Sequence, residues 1–138
     1  MKILLLSNKK AEYEDLRKII NTFNSNVDIL EIFSYEKVVT SAIKFNPDLI
    51  IMDIGADYLE AKIVLKHLKL ELSYSPKIYV LSECLFDIIK NLFISLGVAE
   101  CFDKSLDADL MISCLKKELD ETNWINNNSS DEKFEGVA

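Results

Sequence analysis

Three side chains in this 138-residue chain have the types needed to handle a phosphoryl group. Asp53, Ser82 and Lys104 each lie at or close to the end of an apolar run. If the three meet in one cleft, the carboxylate can act as a nucleophile, while the ammonium and the hydroxyl bind the oxygens of the incoming phosphoryl group. The chain contains only three glycines, and no Gly-rich nucleotide-binding motif is present. The set therefore predicts phosphate chemistry that does not depend on a nucleotide loop.

Asp53 lies one residue before the end of the most informative run in the chain, PDLIIMDI at Pro47–Ile54. A short, continuous, Ile- and Leu-rich run is typical of a strand that is buried on both faces of a parallel sheet. Proline is tolerated at the first residue of such a strand. Asp53 then falls at the carboxyl end of a central strand, where open α/β sheets bind their ligands. The alternative is that Asp53 only caps the helix that follows.

The rest of the chain alternates between strand-like and helix-like patterns. We predict an α/β fold: a flavodoxin-like, doubly wound sheet of five parallel strands in the order 2-1-3-4-5, with helices on both faces. In that order the ends of strands one, three, four and five meet, which brings Ser7 and Asn8 to Asp53, Ser82 and Lys104. The predicted strands are Lys2–Leu6, Val27–Phe33, Pro47–Ile54, Lys77–Leu81 and Val98–Phe102, and the main helices are Ala11–Phe23, a helix with Val38, Val39, Ala42, Ile43 and Phe45, Tyr58–Leu72, Cys84–Leu96 and Asp107–Leu119.

The apolar positions of the helices predict which faces point inward. In the third helix they are Leu59, Ile63, Leu65, Leu68 and Leu72, and in the fifth they are Leu110, Met111, Cys114 and Leu115. After Glu121 the pattern stops. We expect a folded domain over residues 1–120 and a polar, disordered tail over 121–138.

The composition of the chain argues against several classes of binding partner. A net charge of −7 argues against non-specific attraction to nucleic acid or anionic lipid, and no apolar run reaches the length of a membrane span. Cys84, Cys101 and Cys114 show no Cys-x-x-Cys spacing, and His67 is the only histidine. We therefore expect a cytoplasmic protein with reduced thiols and no Cys/His metal site.

Three segments, in order, resemble the receiver domains of two-component response regulators. They are PDLIIMDI at Pro47–Ile54, PKIYVLSE at Pro76–Glu83 and GVAECFDKS at Gly97–Ser105. The resemblance covers about residues 2–120 and is closest in organisation to a stand-alone, chemotaxis-regulator-like receiver. It implies that Asp53 is the phosphoacceptor, that Ser82 is the switch hydroxyl and that Lys104 is the family's lysine. It also implies a non-enzymatic signalling module whose partners are a histidine kinase, a phosphotransfer protein or a downstream signalling protein.

The same comparison shows departures from the family pattern. Receiver domains usually carry two acidic residues after the first strand that hold magnesium, and this chain has Ser7 and Asn8 there. Asp53, the Gly55 carbonyl and Asn8 remain as a weak or absent magnesium site. Each lost carboxylate removes an electrostatic attraction, so we expect magnesium affinity to be at least about tenfold lower. We expect no other cofactor.

Two further positions depart from the family. Glu83 replaces a small residue after Ser82 and could crowd or repel a phosphoryl group. Cys101 replaces a common aromatic switch residue, and Phe102 beside it could partly substitute.

These observations leave two hypotheses. In the first, the chain is a working receiver that is phosphorylated on Asp53. In the second, which the missing acidic pair favours, it is a degenerate pseudo-receiver in which Lys9 or Lys104 pairs with Asp53 and mimics the occupied site. An unrelated flavodoxin-like enzyme is a third interpretation that no phosphate-binding loop supports.

The fourth helix carries apolar residues over an unusually wide arc. They are Leu85, Phe86, Ile88, Ile89, Leu92, Phe93 and Leu96, with Ile94 outside the arc. The simpler interpretation is a deeply packed helix. The alternative is a partner or homodimer surface that runs from helix four to helix five.

Overall fold

The computed structural model describes residues 1–7 and 9–120 of the chain. Asn8 and the predicted tail, 121–138, lie outside the described residues. Strands and helices alternate along the chain in this order: β1 (Lys2–Ser7), α1 (Lys10–Phe23), β2 (Asp28–Ile32), a 3₁₀ turn (Tyr35–Lys37) leading into α2 (Val38–Phe45), β3 (Leu49–Gly55), α3 (Tyr58–Glu71), β4 (Lys77–Ser82), α4 (Asp87–Ser95), β5 (Glu100–Asp103) and α5 (Ala108–Leu119).

The five strands form one parallel sheet in the order β2-β1-β3-β4-β5, as predicted from the sequence. Its register sets the polar strand ends side by side. Ser7 of β1 pairs with Asp53 of β3, and Ser82 of β4 lies opposite both Gly55 of β3 and Asp103 of β5.

Side chains on each central strand alternate between two apolar cores, one on each face of the sheet. Ile50 and Met52 of β3 pack in the core under α2, α3 and α4, whereas Leu49 and Ile51 pack in the core under α1 and α5. All four are fully buried, as the continuous apolar run predicted. Helices therefore cover both faces of the sheet, and the predicted fold class is confirmed. No helix in the described ranges is long and apolar enough to cross a membrane.

Helix α4 begins at Asp87, and the predicted start at Cys84 is wrong. The backbone N–H of Leu85 donates to the Asp103 carboxylate, and Phe86 is extended, with φ −79° and ψ 150°. These contacts keep the segment after Ser82 in a loop. At the other end, the N–H groups of Gly97 and Val98 bond to carbonyls of α4, so β5 begins two residues later than predicted, at Glu100.

The helices also expose apolar side chains that periodicity predicted to be inward. Leu59 and Ile63 of α3 are exposed, and the buried residues of that helix are Ala61, Val64, Leu65 and Leu68. Leu110 of α5 is exposed as well. Because α3 carries apolar residues on two opposite faces, periodicity does not decide which face meets the sheet.

The predicted deep packing of the fourth helix, α4, is also wrong. Phe86, Ile88 and Ile94 are 66%, 80% and 48% exposed, and Phe93 is the residue of this helix that is fully buried. The physical reason for this exposure is the position of α4 at one side of the sheet. Helix α4 is short and covers the β4–β5 side of the sheet, where β5 is an edge strand, so only one narrow side of the helix meets the core.

Candidate functional site

The carboxyl edge of the sheet is lined by buried polar side chains. Ser7, Asp53, Ser82 and Asp103 end β1, β3, β4 and β5 or lie within two residues of the end, and none is more than 7% exposed. Buried polar groups are costly unless they are hydrogen-bonded or paired, so their concentration at one edge indicates a built site.

Asp53 and Lys104 form an ion pair at this edge. The Lys104 Nζ lies 2.8 Å from Asp53 Oδ2, and the two side chains are 23% and 5% exposed. The backbone N–H of Lys104 also donates to the Ser82 carbonyl at 2.8 Å, which holds the lysine against the end of β4. Parallel strand order thus brings together residues that are far apart in sequence. A carboxylate this deeply buried requires such a partner, since an unpaired buried charge is strongly destabilising.

Gly55, the last residue of β3, brings the loop after β4 close to Asp53. Gly55 has φ +57°, a left-handed conformation that favours glycine, and its carbonyl accepts a hydrogen bond from the Glu83 N–H at 3.0 Å. The Glu83 carboxylate lies 3.1 Å from the Lys9 ammonium, with both side chains about half exposed. Such an exposed pair contributes about 0–1 kcal/mol. The sequence left Lys9 and Lys104 as candidate partners of Asp53. Lys104 forms an ion pair with Asp53, and Lys9 forms one with Glu83.

Ser82 contributes a buried hydroxyl. Its Oγ is completely inaccessible to solvent and has no hydrogen-bond partner within the part of the chain that the structure describes. Its position opposite Gly55, two residues after Asp53, suits it to donate to an oxygen of a group bound at the carboxylate.

Asp103 is a site residue that sequence reasoning missed. Its carboxylate accepts the backbone N–H groups of Leu85, Ser105 and Leu106 at 2.9–3.1 Å, and its own N–H donates to Asp107 at 2.9 Å. These backbone hydrogen bonds hold the pKa of Asp103 below its ordinary value. The sequence contained a signal for this role of Asp103, because an aspartate followed by polar turn residues often accepts hydrogen bonds from the backbone N–H groups just after it. Asp103 therefore joins the β4–α4 loop to the turn that carries Lys104.

The donors at this edge do not fit a magnesium ion. Asp53 is in contact with an ammonium group, and the Gly55 carbonyl accepts a backbone N–H. The Ser7 hydroxyl bonds to the backbone of Lys9 at 3.2–3.3 Å, and Asn8 lies outside the described residues. No group of three His, Cys, Asp or Glu side chains in the described ranges could hold a metal. Magnesium prefers several oxygen ligands that include carboxylates. Of the two buried carboxylates at this edge, Asp53 is paired with Lys104 and Asp103 accepts three backbone N–H groups.

Cys101 and Phe102 lie on opposite faces of β5. Cys101 is buried in the core under α2–α4, and burial raises the pKa of its thiol to about 11. Phe102 packs edge-on against Tyr79 in the other core, with ring centroids 5.8 Å apart. Phe102 therefore cannot substitute for an aromatic residue at position 101, because neighbouring strand residues point in opposite directions.

No family model and no curated protein sequence matches this chain. Solved structures do match. The signal receiver domain of a DNA binding response regulator (merR) from Colwellia psychrerythraea 34H superposes with a TM-score of 0.75 at 16% identity, covering 86% of this chain and 98% of that one. The response regulator domain of Thermotoga maritima CheB gives 0.70 at 18% identity, covering 86% and 92%. The chain has the receiver-domain fold.

A third structure with this receiver fold is the N-terminal domain of an uncharacterised protein (WS1339) from Wolinella succinogenes. It gives a TM-score of 0.69 at 22% identity and covers 85% of this chain and 92% of that one. At identities of this size the superpositions show a shared fold, and they do not assign roles to individual residues.

Proposed function

We propose that this chain is a stand-alone, cytoplasmic receiver-type signalling module of a two-component phosphorelay. In this proposal it acts through contacts with other proteins, and its metal-dependent phosphorylation is impaired. The observation that carries the proposal is the buried Asp53–Lys104 ion pair at an edge that lacks a second carboxylate at the end of β1.

The impairment follows from electrostatics. Phosphoryl transfer is catalysed mainly by positioning and by neutralising the charge that develops, work in which a metal ion is usually central. Here a lysine ammonium already neutralises Asp53, and Ser7 and Asn8 supply no carboxylate after β1 to attract a divalent cation. Lys104 can therefore stabilise one conformation of the site without phosphate, as a pseudo-receiver requires.

The alternative is a working receiver, phosphorylated on Asp53 by a histidine kinase or a phosphotransfer protein. The buried Ser82 hydroxyl favours this alternative, because it is a donor without a partner among the described residues and lies beside the strand that carries Asp53. In that case Ser82 and Lys104 bind the phosphoryl oxygens.

The exposed apolar side chains of α4 and α5 support an output through protein contacts. Phe86, Ile88 and Ile94 on α4, with Leu106 and Leu110 at the start of α5, are between 48% and 83% exposed. Exposed apolar side chains in this number are available for contacts with another protein. We propose that a downstream protein or a second copy of the chain binds here, that the module spans residues 1–120 and that residues 121–138 form a separate tail.

The test is to incubate the full chain with acetyl phosphate and magnesium and to measure its intact mass. We expect no stoichiometric gain of a phosphoryl group. The double variant Ser7→Asp/Asn8→Asp restores the acidic pair and should bind magnesium at least about tenfold more tightly, because each carboxylate adds an attractive charge.

Asp53→Asn, made in both backgrounds, is the matched control that identifies the modified residue. A stoichiometric gain in the wild-type chain that disappears in Asp53→Asn would establish the working receiver and overturn the impaired one.

A further inference from the structure

A cavity of about 190 Å³ opens at the amino edge of the sheet, the edge where the strands begin and opposite the one that carries Asp53. It lies between the second half of α3 and the end of α4, and the loop before β4 forms its rim. The inner wall is apolar and consists of Leu65, Leu68, Leu72, Ile78 and Leu96. An apolar cavity of about 150 Å³ can hold a benzene ring, so this one has room for a single aromatic side chain.

The rim of this cavity is held in place by the fold itself. The Tyr74 hydroxyl donates to the Pro47 carbonyl at 2.8 Å, which ties the loop before β4 to the segment that enters β3. Pro76 fixes the backbone of the same loop, and Gly97 turns the chain after α4 with φ +96°. A side chain that enters a preformed cavity does not have to order the walls, which lowers the cost of binding.

The described part of the chain ends beside this cavity. Glu118, in the last turn of α5, is ion-paired with Lys77 at 2.9 Å. Lys77 stands between Pro76 and Ile78 in the sequence, and both of these residues line the cavity. Asp120 is extended, with φ −62° and ψ 116°, so the chain leaves α5 at the amino edge, close to the start of β4.

The segment that follows α5 contains one apolar pair. Trp124 and Ile125 stand between polar residues, 121–123 on one side and 126–133 on the other. The four residues from Asp120 to Trp124 span about 13–14 Å when extended, which is enough to pass round the start of β4. Burial of the indole removes a large apolar surface from water. The position and the chemistry of Trp124 therefore match the cavity.

A neighbouring cavity on the α5 face is a poorer site for an indole. Its lining includes four charged side chains, those of Lys77, Glu100, Lys117 and Glu118. An indole placed there would take charged groups out of water, which is costly. In the cavity between α3 and α4 the polar side chains of Lys69, Ser73 and Ser75 are exposed, and they can stay in water while the apolar wall is covered.

We propose that Trp124 inserts into the cavity between α3 and α4 of its own chain and covers Leu72, Ile78 and Leu96. The contact fixes the start of the segment 121–138 beside the end of α4. A weak contact is sufficient, because two groups joined by a short flexible segment meet at an effective concentration in about the millimolar range. The inference goes beyond the proposed function and does not depend on phosphorylation of Asp53.

Trp124 is the only tryptophan of the chain, so tryptophan fluorescence reports on this one side chain. The experiment compares the full chain in buffer with the same chain unfolded in urea. We expect the folded chain to emit at shorter wavelength. Quenching by acrylamide should be about threefold weaker than in the unfolded chain, because a buried indole is shielded from water and from the quencher.

Ser75→Phe blocks the cavity with a phenyl ring at the rim, where Ser75 is exposed. The emission and the quenching of Trp124 should then approach the values of the unfolded chain. Thr40→Phe adds the same ring at an exposed position of α2, outside the cavity lining, and should leave both quantities unchanged. Circular dichroism checks that both variants are folded.

A second measurement does not depend on the Ser75 variant. It compares the backbone amide resonances of the full chain with those of Trp124→Ala. We expect shifts at Leu72, Ser75 and Gly97, which line the cavity, and no shift at Leu16, which lies on the other face of the sheet.

Fluorescence that is the same in the folded and the unfolded chain would overturn the inference, as would amide shifts confined to other parts of the molecule. A protected Trp124 that stays protected in Ser75→Phe would place the indole elsewhere and would also overturn it. Protection that appears only as the protein concentration rises would show that the tryptophan of a second copy enters the cavity, against the contact within one chain. All of these outcomes leave the proposed function intact, because the acetyl phosphate measurement decides that proposal.

Discussion

Asp53 and Asp103 are two carboxylates buried to almost the same extent, 4% and 7% exposed, at the same edge of one sheet. They are satisfied in different ways. Asp53 meets the ammonium of Lys104 at the end of a long side chain, whereas Asp103 accepts three backbone N–H groups from two loops.

The difference indicates which carboxylate can exchange its partner without a rearrangement of the backbone. A side-chain ammonium can move away and be replaced by another cation or by a modified group. Backbone N–H groups cannot leave Asp103 unless the loops that carry them rearrange. Asp103 therefore holds the backbone turn that carries Lys104, the ion-pair partner of Asp53.

The largest effect should come from Asp103→Ala. Removing this carboxylate leaves the N–H groups of Leu85, Ser105 and Leu106 without their acceptor in a partly buried turn. We expect the melting temperature to fall by about 10 °C or more, measured by thermal unfolding with circular dichroism. Asp109→Ala, at an exposed position of α5, is the matched control and should change it little. Equal melting temperatures for the two variants would show that Asp103 does not hold the loops.

A smaller effect is expected from Lys104→Met, which keeps the length of the side chain and removes its charge. Asp53 then loses its ammonium partner while still buried, and the free energy of unfolding should fall by about 2 kcal/mol in urea titrations. The double variant Asp53→Asn/Lys104→Met should recover most of that loss, because no unpaired charge remains. Lys116→Met, at an exposed site on α5, serves as the control. A double variant as unstable as Lys104→Met would mean that the lysine stabilises through packing alone.

The smallest effect should be the loss, at acidic pH, of the stability that Asp103 contributes. Because the pKa of Asp103 in the folded protein lies below its ordinary value of 3.8, the stability it contributes is fully present above that pH. That contribution is lost as the pH falls through the lowered folded value. The difference in unfolding free energy between the wild type and Asp103→Asn should therefore stay constant from neutral pH to about pH 5 and shrink below pH 3.8. Urea titrations at several pH values measure this difference. A difference that stays constant down to the lowest pH would contradict the claim that the ionised Asp103 carboxylate stabilises the fold through its hydrogen bonds.

Much of the fold was predictable, because it depends on local patterns. The alternation of short apolar runs with helical patterns led to the strand order and to helices on both faces, and the ends of β3 and β4 were placed within one or two residues. The meeting of Asp53 with Lys104 followed from that order. The start of α4 did not follow, because it is set by a hydrogen bond between Leu85 and a residue 18 positions away.

The sequence by itself determined that Asp53, Ser82 and Lys104 lie close to the carboxyl ends of strands, because apolar runs and the points where they stop are local features of the chain. The tertiary structure alone decided that Lys9 pairs with Glu83, that Asp103 joins two loops, and that Leu59 and Ile63 face outward. Each of these depends on distances between segments that are remote in the sequence, and a one-dimensional pattern does not contain those distances.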